Sequence, residues 1–534
     1  MASVATARSG LRQHLRHVAP RATLTRTHDA PDFLAAFLTS HGVDAAAFHA
    51  FVASLPEGSV VTPFSPGYDA SRQEANPLFH KYPLIVVYCQ TTLDVMRCVT
   101  FATGQRIGLC PRAGGHSTAG FSVLDLRLLI DVSKIGGVLI DPQQMVVSVG
   151  AGVRFARLVD ELDAFGLHTV TGECYQVGVV GYTLGGGYGY TSPQFGMGCD
   201  QLLEVTMVLA DGSLVIASPD GNHADLFWAC QGGTGNNFGI VTALKLKLYK
   251  LPLVWLIGLE WPIDEAAEVM TVWQNERTKS TTDTKLGVQG GLLFNTEPQR
   301  HDPRTGEIIV ASKPALVIRG IYAGPSTPEG LAAAKESLAP FLKVGHPRPD
   351  PPLWQQQVTY KQAMDMTNAG GDAAAPTTIF QLRRSGYVNR ALTKADYQKI
   401  VDHFKAAPST YNMIVLEPYG GAINAVDPAA TAFVHRGAYF DIFADGLFAD
   451  PSQQAAELRW LSDLYESSDM KSLWSGRYYQ NYTNADYPDY ERGYWGDNYP
   501  RLQAIKAKYD PRNVFHFEQS IRLPLPRAEN ASPS

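Results

Sequence analysis

Four stretches of this chain carry residues whose types and spacing could do chemistry. The first is Pro111-Arg-Ala-Gly-Gly-His-Ser117. Arg112, Ala113, Gly114, Gly115 and Ser117 surround His116 on a loop rich in unhindered backbone N–H groups, a nest of the kind that suits a pyrophosphate. Taken alone, the stretch is as well explained by a turn bearing a surface histidine. The second is Gly172-Glu-Cys-Tyr-Gln-Val-Gly-Val-Val-Gly-Tyr-Thr-Leu-Gly-Gly-Gly-Tyr-Gly189, with six glycines between Gly178 and Gly189 and Cys174 just ahead of them. Clustered glycine marks backbone that must approach something closely. No GxGxxG opens a helix here and no GxxxxGK[ST] occurs, so the common nucleotide fingerprints are absent. A cysteine in such a place is ordinarily structural. The third stretch, Asp225 to Thr242, reads as a helix, a glycine loop and a strand. The fourth is Tyr479-Gln-Asn-Tyr482, followed by Lys508-Tyr-Asp-Pro-Arg-Asn-Val-Phe515.

Other chemistries find little support. No HExxH occurs, and His14 and His17 belong to a basic tail, so no metal site is expected. Gly115-His-Ser-Thr-Ala-Gly120 is not a GxSxG elbow, which removes the hydrolase reading. Net charge is −6 over 534 residues, too acidic for nucleic acid as the main partner. No run of 18 apolar residues exists, so no span of a membrane is expected. The six cysteines all lie in the first half without a CxxC pair, which reads as a reducing compartment or as cysteines used singly. Residues 1–27 hold five arginines and no acid before Asp29. A disordered basic tail is expected there; no signal peptide is visible, so the location is expected to be cytoplasmic, with an organelle transit peptide as the alternative.

The elements that must position these residues follow from hydrophobic periodicity. Strands are predicted at 84–89, 128–132, 145–149, 203–209, 214–217 and 240–248, with a helix capped by Thr91 or Thr92 that Gly104 ends, and another over 155–165. Beyond Pro252, strands are predicted at 253–260, 315–321, 377–383, 412–417 and 437–443. Helices are predicted at 266–275, 329–342, 452–466 and 499–508, and a linker over the proline-rich 347–352. The expected division is a basic tail over 1–30, a helical segment over 31–76, a cofactor domain over 77–250, a substrate domain over 251–498, and a segment over 499–534 that returns to the cofactor domain.

In their order along the chain, the four stretches resemble the berberine-bridge-enzyme-like FAD-linked oxidases of the vanillyl-alcohol-oxidase superfamily. The likeness runs from about Pro77 to Leu248 and from Glu417-Pro-Tyr-Gly-Gly421 to Ser520. It implies an α+β fold: a two-part FAD-binding domain of the PCMH type, and a substrate domain with an antiparallel sheet flanked by helices. It further implies FAD held by two covalent bonds, His116 to the 8α carbon and Cys174 to C6, with a raised reduction potential. Val180 stands where a glycine is usual. The implied cofactor shell adds Val177, Gly178, Gly181, Gly186, Gly187, Gly189, Gly239, Ile240, Val241 and Asn481 to the first loop.

For catalysis the resemblance points to Tyr479, with Tyr482 close by, at the substrate side. A base within hydrogen-bond reach eases hydride loss. Alignment puts Phe443 where alkaloid-oxidising relatives carry a carboxylate or amide, leaving Tyr479 as the expected base or orienting phenol. Asp441 shares a strand face with Phe443 by the two-residue period and is a candidate helper; a structural acid is the competing reading. In the family the residue three after the flavin-bonding cysteine is smaller in oxidases and larger in dehydrogenases; here it is Val177, a methylene shorter than leucine. The expected reaction is therefore oxidation of a small organic substrate, a sugar, alcohol, alkaloid or polyketide, with O₂ reduced to hydrogen peroxide. The alternatives are a dehydrogenase using another acceptor and a flavin-binding protein without turnover.

Overall fold

The computed structural model describes residues 33–295, 313–349, 355–372 and 379–525; the expected basic tail lies outside them. Helices Phe33–Ser40 and Ala45–Ala53 open the described chain, the second capped by Asp44, whose carboxylate accepts from the Ala47 amide at 2.7 Å.

Two sheets make the first part of the chain. Strand Ile85–Tyr88 lies between Val60–Val61 and Leu128–Asp131, and Leu109–Arg112 adds to the last in parallel. The intervening helix, Thr92–Gln105, starts with a capping box between Thr91 and Asp94. It runs through Gly104, and the left-handed turn that ends it falls on Arg106, at φ 57°. The second sheet is antiparallel, in the order Val138–Asp141, Val146–Gly150, Ile240–Lys247, Leu202–Val208, Leu214–Ala217. Helix Phe155–Asp163 turns Phe155, Leu158, Val159 and Leu162 inward, at the spacing that made it legible.

The second part is built on an eight-stranded antiparallel sheet. Its central order is Val254–Pro262, Lys313–Tyr322, Leu286–Asn295, Met413–Pro418, Phe440–Phe448, Phe380–Val388. Strand Leu286–Asn295 was not expected; Gly287, Gly290 and Gly291 dilute its apolar run. Helices Tyr360–Asp372 and Lys394–Lys405 were also not expected, although Thr393 and Asp396 form a capping box at the start of the latter. Within the expected linker, Arg348–Pro349 pairs with strand Val254–Pro262, while 350–352 lie outside the described residues. Helices Ala266–Thr278, Pro328–Leu342, Lys394–Lys405 and Gln454–Glu466 cover one face of the sheet with Trp273, Phe341, Phe404 and Leu464. The other face looks back at the first part.

The C-terminal segment packs into the first core. Helix Tyr499–Tyr509 lies against helix Ala224–Cys230. The fully buried Lys506 Nζ donates to the Asn237 carbonyl at 2.6 Å and to Asp510 Oδ2 at 2.7 Å. A buried ion pair persists only when its remaining valences are met. Here the Val514 and Phe515 amides complete Asp510, so the network ties the chain end to the third glycine loop. Among the described residues no helix is long and apolar enough to cross a membrane.

Candidate active site

A cavity of about 720 Å³ lies between the glycine loops and the open face of the large sheet. The loops touch backbone to backbone. A Cβ on Gly114 would lie 2.5 Å from the Gly178 amide nitrogen, and one on Gly178 would lie 2.8 Å from that of Gly114. Only glycine at both positions allows this approach. Gly115, at φ 72°, turns the first loop so that His116 and Ser117 reach the cavity. Burial, reinforced by the charges of Arg154 and Arg383, pushes the His116 imidazole down to about 4, so it is neutral at physiological pH. Cys174 stands exposed at the lip, and Val177 lies beyond it on the wall.

The third loop is held in strained backbone. Thr234 and Asn236 take positive φ of 67° and 62°, and such outliers collect at ligand-binding turns. Gln480 and Trp495 both donate to the Gly232 carbonyl at 3.0 Å, and Ile521 donates its amide to Asn237 Oδ1 at 2.8 Å. Several polar atoms along the cavity are buried without a hydrogen bond: Tyr182 Oη, Asn236 Oδ1, Gln480 Oε1 and Glu417 Oε2. Buried polar atoms seldom stay unmatched. Together with the loop-on-loop cradle they match a polar, elongated cofactor such as FAD.

Ala113, Gly114, Gly115, His116, Ser117, Cys174, Val177, Gly178, Gly181, Gly239, Ile240, Val241 and Asn481 line the cavity, as do Tyr479 and Tyr482. Arg112 does not: it is buried behind its loop, donating to Asp131 at 2.6 Å and to the Gln73 carbonyl at 3.0 Å. Gly186, Gly187 and Gly189 also lie off the lining. A Cβ there would meet Phe433, Tyr182 and the Thr171 carbonyl, so these glycines serve interior packing. The Gly187 amide nevertheless donates to the Tyr479 phenol oxygen at 2.8 Å, and Asn481 donates to the same oxygen at 3.0 Å.

The sheet supplies residues that the motifs did not show. Tyr482 donates to Glu417 Oε1 at 2.8 Å, and Gln289 reaches the same oxygen at 3.4 Å. Arg383 grips Asp445 through two nitrogens and lies 4.6 Å from the Tyr482 ring centre and 4.5 Å from that of Phe443. Burial, followed by the Asp441 charge, raises Glu417 well above the usual carboxylate range. Glu173, next to Cys174, is raised to about 7 by burial and hydrogen-bonds Tyr190 and Gln289. Asp441 is fully buried beside Glu417 and does not line the cavity.

Comparison with known proteins completes the picture. The family described as "FAD binding domain" matches residues 83–218, and that described as "Berberine and berberine like" matches 478–522. An uncharacterized FAD-linked oxidoreductase of Bacillus subtilis, YgaK, is 30% identical over 468 residues, covering 87% of this chain and 96% of its own. This chain belongs to the berberine-bridge-enzyme-like FAD-linked oxidoreductases. Another relative in this group, (R)-6-hydroxynicotine oxidase of Paenarthrobacter nicotinovorans, is 25% identical over 87% of this chain and 96% of its own. Among solved structures, Physcomitrella patens BBE-like 1 superposes with a TM-score of 0.76 at 24% identity, over 89% of this chain and 99% of that one. The grass pollen allergen Phl p 4, described as having glucose dehydrogenase activity, gives 0.77 at 22%, over 90% and 99%. The fold is therefore the α+β, PCMH-type one of these FAD-binding enzymes, and the chain is an oxidoreductase.

Proposed function

We propose that this chain is an FAD-dependent oxidase of a small organic substrate, with the flavin tethered through His116 and Cys174. In this reading residues 77–250 and 499–534 hold the cofactor, and 251–498 form the substrate side. The observation that carries it is one cavity with His116 and Cys174 on its loop wall and a phenol–carboxylate pair, Tyr482 and Glu417, on its sheet wall. When bound, FAD supplies the acceptor for the two electrons and the hydrogen that leave the substrate carbon as hydride.

The protein's own task is to move a proton and to exclude water. Tyr482 takes the proton of a substrate O–H or N–H while its own passes to Glu417 Oε1, its hydrogen-bond acceptor. Tyr479 is buried and its phenol is pushed well above the ordinary value, chiefly by desolvation. Tyr482 is raised in the same way, but it donates to a carboxylate, whereas the Tyr479 oxygen accepts from Gly187 and Asn481 and is fixed by them to orient the substrate. A neutral His116 is also the form able to use a ring nitrogen as a nucleophile toward the flavin. Val177 leaves room at the wall for O₂, and peroxide is the expected product. The neighbour Phl p 4 is described as a glucose dehydrogenase in one form and as a glucose oxidase in a variant, which supports a dehydrogenase with another acceptor as the second reading.

The test has two parts. Acid-precipitated wild-type protein should stay yellow, and the double replacement of His116 and Cys174 should release free FAD; colour lost on precipitation of the wild type ends the bicovalent proposal. Stopped-flow mixing of reduced protein with air should show rapid reoxidation that Val177→Leu slows. Reoxidation no faster than that of free reduced flavin, with turnover restored by an artificial acceptor, replaces oxidase by dehydrogenase.

A further inference from the structure

Glu417 and Asp441 are direct register partners on adjacent antiparallel strands. Their side chains leave the same face with Cβ atoms ~4.5–5.5 Å apart. Glu417 is 3% exposed and Asp441 is 0% exposed. Glu417 Oε1 accepts from Tyr482 and Gln289, but Glu417 Oε2 and both Asp441 oxygens are buried without a hydrogen bond among the described residues. Three unmatched carboxyl oxygens side by side cannot be accommodated by two anions. Like charges at this spacing do not both ionise. One proton resolves the arrangement, because a carboxylic acid can donate its O–H to the neighbouring carboxylate in a short, charge-assisted bond.

We propose that Glu417 and Asp441 form a carboxyl dyad that holds one proton between them and acts as the proton store behind Tyr482. Asp441 is then a positioning residue, acting through Glu417. The groups that face Asp441 are consistent with this. Arg383 is the cation acting on both carboxyls, and it is already committed to Asp445. Glu173 is a further buried carboxyl and acts on Glu417, and the other ionisable neighbours on the surrounding elements are phenols, namely Tyr188, Tyr387, Tyr419, Tyr465, Tyr482 and Tyr487. Ser385, whose Oγ accepts from the Tyr479 amide, is beside Asp441 but outside good hydrogen-bond geometry to it. Burial raises both carboxyls, which favours a proton on the pair, while the Arg383 charge lowers both and works against a second one.

The proton step balances. A substrate O–H or N–H bond breaks and its proton joins the Tyr482 oxygen. The Tyr482 proton moves to Glu417 Oε1, and the stored proton settles on Asp441. The dyad passes from one proton and one negative charge to two protons and no charge, and no electrons move in this step. The proposal rests on the proton-acceptor reading of Tyr482 and Glu417, so its test is kept apart from turnover.

Infrared spectra of the oxidised holoprotein at neutral pH, in H₂O and D₂O, read protonated carboxyls directly. D441N should abolish one deuterium-sensitive carboxylic-acid C=O band, because the new amide donates to Glu417 and leaves it ionised. E417Q should displace or abolish the same band, because the acceptor changes from carboxylate to amide. Both substitutions preserve side-chain shape. A D441N spectrum superimposable on wild type overturns the dyad, as does an E417Q spectrum in which the band keeps its position and intensity. If D441N does not accumulate as folded protein, E417Q alone decides. Unchanged substrate oxidation in E417Q with the bands behaving as expected rejects the function and leaves the dyad standing.

Discussion

On the loop wall of the cavity backbone meets backbone, at Gly114 and Gly178, and no side chain can be added without moving a loop. On the sheet wall side chains meet side chains, in rows across neighbouring strands. Glu417, Asp441 and Tyr387 form one row, Val415, Phe443 and Ser385 the next, and Met413, Asp445 and Arg383 a third. The first wall fixes a backbone shape. The second is a lattice in which single residues change the chemistry while the backbone stays put. This difference teaches where binding and reactivity separate: cofactor retention should follow the loops, and proton handling should follow the rows.

The sharpest way to break that separation is to damage the second wall and look at both properties. Glu417→Gln and Tyr482→Phe should keep full flavin content, read from the absorbance ratio. They should slow flavin reduction by ~10²–10⁴, the usual worth of general-base catalysis. Tyr479→Phe should cost less if, as proposed, Tyr479 orients and does not accept the proton. If Tyr479→Phe is the slowest of the three, the base moves to Tyr479. If any of them loses its flavin, the two walls are not independent.

The converse experiment is Gly114→Ala. The added methyl would press on the Gly178 amide at 2.5 Å, an overpacking that costs ~1–3 kcal/mol. We expect folded protein in which a smaller fraction of molecules carries flavin, while the sheet's melting behaviour is little changed. Normal flavin content in this variant would show that the loop contact has no bearing on retention.

The smallest effect concerns Glu74, buried behind the first loop, where the neighbouring Ala75 amide donates to the Gly115 carbonyl at 3.0 Å. Burial raises its carboxyl to about 8, against the lowering influence of Arg112. The folded state thus holds this proton more tightly than the unfolded chain does. That contribution is complete below the ordinary value of 4.5 and is lost as pH rises through about 8. Glu74→Gln keeps the neutral shape at every pH. It should melt like wild type near about pH 5 and above it at alkaline pH, where wild type has lost the stability that came with its extra proton. Parallel melting curves for the two proteins across this range would dismiss the assignment.

Local order was legible wherever a signal lies within a few residues. Helix Phe155–Asp163 announces itself by its apolar spacing, and Leu214–Ala217 matches its expected bounds. The loop with His116 is readable because its glycines are contiguous. Strand Leu286–Asn295 was missed because a glycine-diluted run looks like a loop until neighbours on both sides supply its hydrogen bonds. Glu417 was passed over for a related reason. It lies in a short apolar run, 128 residues from Gln289 and 65 from Tyr482, and nothing near it in sequence announces those partners.

What the sequence by itself determined is the loop wall of the cavity: its glycines, a histidine and a cysteine lie close together along the chain, and short stretches are enough to encode that local backbone geometry. Tertiary structure alone decided the proton side. Which oxygen accepts the Tyr482 hydrogen bond, and that Asp441 stands behind Glu417 and away from the cavity, depend on strand register. Register is set by turns, by burial of the opposite face against four helices, and by distant pairing, so it is a property of the assembled sheet and of no single stretch within it.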